Sequence, residues 1–221
     1  MSVIVEVVHT VSPGTAENFE RYVERYNEVS IPLMEECGMN VAGAWRFCTG
    51  QVNRDLLVIP YESMGAHAEA SAKIQKAIAD GRIEKLRELG LRIEERVNQA
   101  QTLPYATPER LEDVRNGNTG KPRRYLYSLQ KAPLAKVAET IEAQSKLVAA
   151  LAGTGMELVT AYLLTTGDRG QFVHIWAVED EATELAFRST AEQRPALAGL
   201  RGLLAWETLD YLEPLSYSRL Q

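Results

Sequence analysis

The sequence contains an internal repeat that indicates the fold. Its two copies are GMNVAGAWRFCTG (residues 38–50) and GMELVTAYLLTTG (residues 155–167), which share one residue pattern. Each begins with Gly-Met, ends with Thr-Gly and has an alanine at the same position between them. The segments that follow, DLLVIPYE (55–62) and FVHIWAVE (172–179), extend the alignment in hydrophobic pattern. A repeat of this length indicates two copies of one structural unit.

The first copy has its elements in a clear order. A β-branched strand over Val3–Val11 is followed by a turn, and Thr15 is a suitable N-cap for a helix with one apolar face. Pro32 predicts a kink near the end of that helix, and Gly38 predicts its stop. The remaining elements are strands at about 41–48 and 55–61, a helix over about 63–79 with a short helical extension, and a strand at about 91–103.

The second copy repeats this order. Pro133 marks the first turn of its first helix, which is predicted to run to about residue 151. The other predicted elements are strands at 124–130, 156–165, 171–178 and 206–213, and a helix over 181–194. Between the copies the chain is rich in turn residues and lacks periodicity. We therefore predict a first repeat over residues 1–105, a linker over 106–122 and a second repeat over 123–221.

The order βαββαβ is that of the ferredoxin-like unit, an antiparallel sheet with helices on one face. The other face of each sheet needs a cover, and two copies in one chain can cover each other. The strands also lack a clean polar face, as expected of sheets buried on both sides. We predict an α+β protein in which the two sheets pack face to face as an intrachain barrel, with the helices outside.

The hairpin region GAWRFCTGQVNRDLLVIPYES resembles the signature of the NIPSNAP family of dimeric α+β barrels. The matching positions are Gly43, Trp45, Gly50, Asn53, Tyr61 and Ser63, then His174, Ile175 and Trp176 in the second copy. The tail LEPLSYSRL resembles the closing segment of the family. The resemblance covers nearly the whole chain as a tandem pair of such domains.

This chain also departs from the family pattern. The opening strand lacks the usual arginine, and the second copy has Tyr162 where the family has a tryptophan. The resemblance implies the fold more firmly than a function, since related dimeric α+β barrels include cofactor-free monooxygenases, haem-binding enzymes, cyclases and proteins with no known chemistry.

Alternation along the two central hairpin strands sorts their side chains into two faces. One face is aliphatic: Leu56, Val58, Pro60, Val173, Ile175 and Ala177. The other has all the polar and aromatic side chains: Asp55, Leu57, Ile59, Tyr61, Phe172, His174, Trp176 and Val178. We predict that the aliphatic face packs under the helices and that the mixed face lines the barrel. Trp45, Phe47 and Tyr162 are expected to join it there.

A mostly apolar cavity with a few polar groups is the usual form of a small-molecule site. The predicted catalytic residues are His174 as general acid or base, with Asp55 or Glu6 as its charged counterpart. The predicted substrate-binding residues are Trp45, Phe47, Tyr61, Tyr162, Phe172 and Trp176. A lone histidine on a mixed strand is also typical of a satisfied core residue, and tryptophans also fill small barrels.

Composition and missing motifs narrow the alternatives. The chain of 221 residues has a net charge of -6 and no basic block, which disfavours nucleic acid as a partner. It shows no apolar run long enough for a membrane span and no secretory leader, so a cytoplasmic protein is expected. The cysteines Cys37 and Cys48 form no metal motif, and Rossmann, Walker, GxSxG and HExxH motifs are absent from the sequence.

Three functions therefore remain open from the sequence. The first is a cofactor-independent biosynthetic enzyme, such as a monooxygenase, cyclase or isomerase, that binds a small apolar or aromatic molecule. The second is a non-catalytic binding or scaffold protein with a filled barrel. The third is a haem-binding barrel with His174 or His9 as ligand. No metal or dedicated cofactor is expected, and a homodimer of the two-repeat chain is a further option.

Overall fold

The computed structural model of the protein describes residues 3–51, 53–106, 108–116, 124–180, 182–183 and 195–220. The strands are β1 Val3–Ser12, β2 Gly43–Phe47, β3 Arg54–Tyr61, β4 Arg92–Thr102, β5 Arg124–Lys131, β6 Met156–Leu164, β7 Gln171–Val178 and β8 Trp206–Pro214. They form a closed barrel in the order β1-β3-β2-β8-β5-β7-β6-β4. The predicted α+β barrel is confirmed.

The helices lie outside the barrel. They are α1 Ala16–Arg25, α2 Ile31–Glu36, α3 Met64–Ala79, α4 Glu84–Arg87, α5 Pro108–Asn116, α6 Val137–Leu151 and α7 Pro195–Arg201. Short turns of other helix types precede two of them, a π-helical turn over Tyr26–Ser30 and a 3-10 turn over Leu134–Lys136. Within the described part of the chain, no helix has the length and apolarity required to cross a membrane. The helix predicted over 181–194 lies outside the described residues, apart from 182–183.

The chain divides into two compact units that do not coincide with the predicted repeats. The first unit consists of Met1–Gln99 with Glu213–Gln221, and the second consists of Ala100–Leu212. Within the first unit the chain end is held by backbone hydrogen bonding, since Leu215 N donates to the carbonyl of Ala44 at 2.9 Å. The repeat boundaries 1–105, 106–122 and 123–221 stay a prediction about the sequence.

The glycines shared by the two copies have a common structural cause. Gly38 and Gly155 have φ values of 88° and 85°, and Gly50 and Gly167 have φ values of 65° and 72°. This left-handed backbone region is costly for residues with a Cβ atom. The repeat therefore preserves the positions at which the chain must turn before and after the same strand.

The π-helical turn replaces the kink predicted at Pro32. Thr15 caps α1 as expected, and its side chain accepts a hydrogen bond from the Asn18 N–H. The helix then widens over Tyr26–Ser30, where the Ile31 N–H reaches the carbonyl of Tyr26. Pro32 lies in the first turn of α2, a position at which a missing N–H costs little.

The segment predicted as a solvated linker contains a packed helix. In α5, Leu111 is only 2% exposed, although its neighbours in sequence are charged. The Arg110 guanidinium Nε also donates to the carbonyl of Leu158 at 3.4 Å. A single leucine among charged residues gives no apolar periodicity, so the sequence does not predict an amphipathic helix here.

The two faces of β3 and β7 point in the directions opposite to those predicted. Residues predicted to line the barrel face the helices instead: Asp55, Leu57, Ile59, Tyr61, Phe172, His174, Trp176 and Val178. Ile59 shares an apolar cluster with Tyr22 of α1, and Trp176 shares one with Leu147 of α6. The aliphatic residues of β3 and β7 therefore point inward, where side chains fill the barrel.

Candidate functional site

A cavity of about 260 Å³ lies in the second unit between the sheet and helices α6 and α7. Its walls are mainly leucines from these helices, among them Leu147, Leu197 and Leu200. The floor has polar and aromatic side chains from β5 and β7, including His174 and Trp176. An apolar enclosure with a few polar groups at one end is the usual form of a small-molecule pocket.

His174 is the central polar residue of this cavity. It is 2% exposed, and its ring lies nearly parallel to those of Trp176 and Tyr105, with interplanar angles of 13° and 7°. Its Nε2 atom lies 2.9 Å from the Tyr105 hydroxyl. Its Nδ1 atom is buried and has no hydrogen-bond partner. A buried polar atom of this kind calls for an explanation, because leaving it unpaired costs free energy.

A chain of hydrogen bonds fixes which nitrogen has the proton. It begins at the exposed Glu207 carboxylate, which accepts from Gln130 Nε2 at 2.7 Å. Gln130 Oε1 accepts from Gln144 Nε2 at 2.6 Å, and Gln144 Oε1 accepts from the Tyr105 hydroxyl at 2.5 Å. Because a carboxylate can only accept, every donor in the chain must point toward Glu207. Tyr105 has then used its proton, so it must accept from His174 Nε2–H.

It follows that Nδ1 of His174 is the unprotonated nitrogen. Burial lowers the pKa of His174 from 6.5 to about 3, so the ring is neutral at physiological pH. Burial also raises the pKa of Tyr105, which keeps its hydroxyl neutral. Because His174 lines the cavity, its neutral ring is a candidate hydrogen-bond acceptor for a ligand O–H or N–H.

Asp55 belongs to a different cluster, in the first unit. It pairs with His9, whose Nδ1 lies 2.9 Å from Asp55 Oδ1. Tyr22 and Tyr217 donate their hydroxyls to Asp55 Oδ2 at 3.0 and 3.4 Å. On the other side of the ring, His9 Nε2 lies 3.3 Å from a Glu95 carboxylate oxygen. Asp55 is thus fully buried rather than solvated at the start of its strand.

The charges of this cluster are set by two opposing effects. Burial lowers the pKa of His9, but the Asp55 charge and hydrogen bond, with smaller contributions from Glu95, outweigh it and raise the pKa to about 9. The hydrogen bond from His9 lowers the pKa of Glu95. Burial and the Asp55 charge hold the pKa of Tyr22 well above its usual range. His9 is therefore a protonated imidazolium between two carboxylates.

Glu6 accepts a hydrogen bond from an asparagine side chain. It is fully buried on β1, on the face opposite Val5 and Val7, and accepts from Asn98 Nδ2 at 2.8 Å. Neither Asp55 nor Glu6 therefore pairs with His174 as expected. The observed partners are His9 for Asp55, Asn98 for Glu6 and Tyr105 for His174. Their predicted catalytic roles stay untested.

The predicted substrate-binding residues separate into three groups. Trp176 lines the cavity of the second unit, and Tyr61 lines another cavity in the first unit. Phe172 is fully buried in the apolar cluster beneath α6 and α7 and lines neither cavity. Trp45, Phe47 and Tyr162 alternate with helix-facing neighbours and lie on the inner face of their strands.

Several residues of the two sites were missed from the sequence. Tyr105 lies in a segment assigned near the linker, and Gln144 lies on the buried face of α6 among leucines. A glutamine on an apolar helix face is the one signal that was available, since buried amides need partners. His9 was expected only as a candidate haem ligand and Tyr22 was not singled out, because their partners lie far away in the sequence.

The two buried histidines do not fit haem. Both ring nitrogens of His9 face carboxylates, and Nε2 of His174 faces Tyr105. Of these four nitrogens, His174 Nδ1 is the one without a partner, and the cavity beside it, of about 260 Å³, is smaller than the usual range of about 300–1,000 Å³ for drug-sized ligands. Among the described residues, no group of three or more His, Cys, Asp or Glu side chains is arranged to hold a metal ion.

Solved structures similar to this chain are dimeric α+β barrels. A protein from Lactobacillus acidophilus described as a "putative monooxygenase" aligns with 100% of this chain and 97% of its own, at 14% identity and a TM-score of 0.62. An "anthrone oxidase-like protein" aligns over 96% and 91% of the two chains, at 13% identity and a TM-score of 0.56. A chlorite dismutase variant from Candidatus Nitrospira defluvii aligns over 96% and 92%, at 12% identity and a TM-score of 0.56.

These likenesses define the class of the protein as a dimeric α+β barrel, as expected. A NIPSNAP domain protein from Burkholderia xenovorans also matches, over 42% of this chain and 96% of its own, at 15% identity and a TM-score of 0.36. No protein-family model matches the sequence, and no curated protein matches it. At such identities the neighbours show the fold alone.

Proposed function

We propose that the second unit binds a small, flat, largely apolar molecule whose hydroxyl or N–H group donates to His174 Nδ1. The observation that supports this most is the buried, unpartnered Nδ1 atom of a histidine that lines the cavity, while its Nε2 atom belongs to a hydrogen-bond chain that ends at Glu207. Trp176 and the leucines of α6 and α7 supply the apolar contacts. A neutral donor group suits His174, because its neutral imidazole offers no charge to pair with.

The proposal is tested with two probes that differ by one hydroxyl, 1-naphthol and naphthalene. NMR titration gives the dissociation constant of each for the wild type and for His174→Leu. Leucine is the matched replacement because the first repeat has Leu57 at the aligned position. A neutral hydrogen bond contributes about 0.5–1.5 kcal/mol, so the wild type should prefer 1-naphthol by about 2- to 12-fold.

The variant should lose this preference and keep its affinity for naphthalene, since its cavity stays apolar. Equal preference in the wild type and His174→Leu would exclude His174 as the acceptor. Absence of binding of either probe to the wild type would instead favour the second function, a scaffold protein whose cavities are not ligand sites.

For the chemistry of this site we propose an oxidation by molecular oxygen without a cofactor. The support is the description of two neighbours as a "putative monooxygenase" and an "anthrone oxidase-like protein", together with the neutral acceptor in this cavity. The step converts an activated ring methylene and O₂ into a ketone and water. His174 Nδ1 would accept a hydrogen bond from the enol form of the substrate and so hold its electron-rich tautomer.

The test measures oxygen uptake with anthrone as probe, and buffer alone gives the rate of spontaneous oxidation. Uptake by the wild type should exceed that of buffer and fall by about tenfold or more in His174→Leu, if one transition-state hydrogen bond contributes 1.4 kcal/mol or more. Uptake equal to that of buffer would reject this reaction while leaving the binding proposal to its own test.

A further inference from the structure

A second cavity, of about 250 Å³, lies in the first unit between the sheet and helices α2 to α4. Its lining is mainly aliphatic, with Leu33, Met34, Ile59 and Ile74 among its residues. It lies wholly within the first unit and shares no residue with the cavity of the second unit. The proposed function above does not account for it.

Tyr61 is one of the polar residues that line this cavity, with Ser30, His67, Ser71, Gln75 and Glu95. The side chain is 6% exposed, and its hydroxyl oxygen is buried without a hydrogen-bond partner. The His67 ring contacts Tyr61 edge-on, with the centroids 5.1 Å apart, and so fixes the phenol ring without satisfying its hydroxyl. Burial raises the pKa of Tyr61 to about 12, so the hydroxyl keeps its proton. A buried tyrosine O–H in the lining of a pocket can donate to a ligand oxygen.

The π-helical turn Tyr26–Ser30 forms part of the cavity wall. Both its first and last residues line the cavity. A π turn inserts one extra residue in a helix at some cost in hydrogen-bond geometry, and such turns occur frequently at functional sites. Tyr26 and Ser30, at i and i+4, lie on the same side of the helix. The cavity wall therefore contains an irregular helical turn. This observation is independent of the unpaired Tyr61 hydroxyl.

The charge of the lining selects among ligands. Glu95 contributes a carboxylate, and the described lining residues include no lysine or arginine. Since the Glu95 charge is paired with His9, a ligand anion would find no lysine or arginine among these residues to replace its hydration. An apolar chain with a neutral oxygen fits the aliphatic walls and the Tyr61 donor, whereas the corresponding carboxylate does not.

We propose that this cavity is a second binding site, for a neutral aliphatic molecule with a single oxygen function that accepts a hydrogen bond from Tyr61. The site is separate from the one that contains His174 and takes a different class of ligand. An alcohol or ketone of medium chain length meets its requirements.

The experiment uses the full chain with 1-octanol and octanoate, two probes with the same chain length and different head groups. Isothermal titration gives the affinities for the wild type and for Tyr61→Phe, which removes only the hydroxyl. We expect 1-octanol to bind the wild type at least tenfold more tightly than octanoate, and Tyr61→Phe to bind it about 2- to 12-fold more weakly. Backbone amide shifts on addition of 1-octanol should be concentrated around the lining residues.

The thermal stability of the ligand-free variant distinguishes a binding role from a structural one. Removing a buried hydroxyl that has no partner should leave the melting temperature unchanged or raise it. Tyr22→Phe is the matched control, since it removes a hydroxyl that donates to Asp55 and should lower the melting temperature. Tyr61→Phe leaves the His174 cavity intact, so its preference for 1-naphthol over naphthalene should not change.

Ser71→Phe provides a second, independent variant. Ser71 lies on α3 in the cavity wall and is half-buried, so a larger side chain can enter the cavity without displacing the core. It should abolish 1-octanol binding. The proposal is overturned if 1-octanol fails to bind the wild type, if octanoate binds as tightly, or if Tyr61→Phe binds 1-octanol with unchanged affinity.

Discussion

The protonated His9 between Asp55 and Glu95 predicts a specific loss of stability at alkaline pH. The folded pKa of about 9 lies above the ordinary value of 6.5. The stabilisation from this charge is therefore fully present below pH 6.5 and is lost as the pH rises from 6.5 through 9. Since each pKa unit corresponds to about 1.36 kcal/mol, the whole effect is about 3 kcal/mol of unfolding free energy.

The perturbation that isolates this effect is His9→Gln, which removes the titrating group and keeps a polar side chain. Guanidinium unfolding at several pH values between 6.5 and 9 gives the free energy of unfolding for both proteins. The difference between wild type and variant should shrink by about 1.4 kcal/mol per pH unit in the middle of this range. The tyrosines around the cluster, including Tyr22 and Tyr217, should not interfere, because their pKa values lie well above their usual range.

Asp55→Asn provides a second test of the same reasoning. Burial alone lowers the pKa of His9, and Asp55 is the group that contributes most to raising it. Without that carboxylate the alkaline slope should become smaller or change sign. A wild type whose stability is flat from pH 6.5 to 9, or a His9→Gln variant with the same slope as the wild type, would refute the assignment of a buried imidazolium.

Three further predictions concern single positions. The pKa of His174, lowered to about 3 by burial, predicts the opposite slope: its stability contribution is present above pH 6.5 and is lost as the pH falls toward 3. Guanidinium unfolding of the wild type should therefore show about 2 kcal/mol more loss between pH 7 and 5 than His174→Leu does. Leu111→Ala should lower the free energy of unfolding in urea by about 2–5 kcal/mol, because it leaves a cavity at a buried position of α5. The control Asp113→Ala, at an exposed position of the same helix, should lower it by less than about 0.5 kcal/mol. Gly43→Ala should lower the melting temperature, because the new Cβ would lie 2.0 Å from the Trp45 ring and such overpacking costs about 1–3 kcal/mol. The control Gly65→Ala adds a Cβ that makes only ordinary contacts, so it should not lower the melting temperature.

The fold was predictable because the repeat has a local physical cause. Gly38 and Gly155 mark the same left-handed turn, and the strands that follow them in the two copies have the same hydrophobic pattern. Once the order βαββαβ is recognised twice, the barrel follows from the need to cover two bare sheet faces. The packed helix at Leu111 was not predictable, because one leucine among charged residues gives no helical periodicity.

The site was only partly predictable. Alternation correctly grouped His174 and Trp176 on one face, but it cannot tell which face lies under the helices. The assumption that large and polar side chains belong in the barrel reversed the assignment. The partners of these side chains were beyond reach, since Tyr105 is 69 residues from His174 and Asp55 is 46 residues from His9. Such contacts depend on the packed tertiary structure and leave no local pattern in the sequence.

The proposed binding function depends on an unprotonated Nδ1 of His174 that accepts a hydrogen bond from a ligand in the second unit. Nitrogen-15 NMR of the histidine rings at pH 7, with and without 1-naphthol, tests it most directly. We predict a proton on Nε2 of His174, an unprotonated Nδ1, and the largest shift of the six ring-nitrogen signals at this Nδ1 when 1-naphthol saturates the protein. A proton found on Nδ1, or an Nδ1 signal that does not move at saturation, would contradict the account.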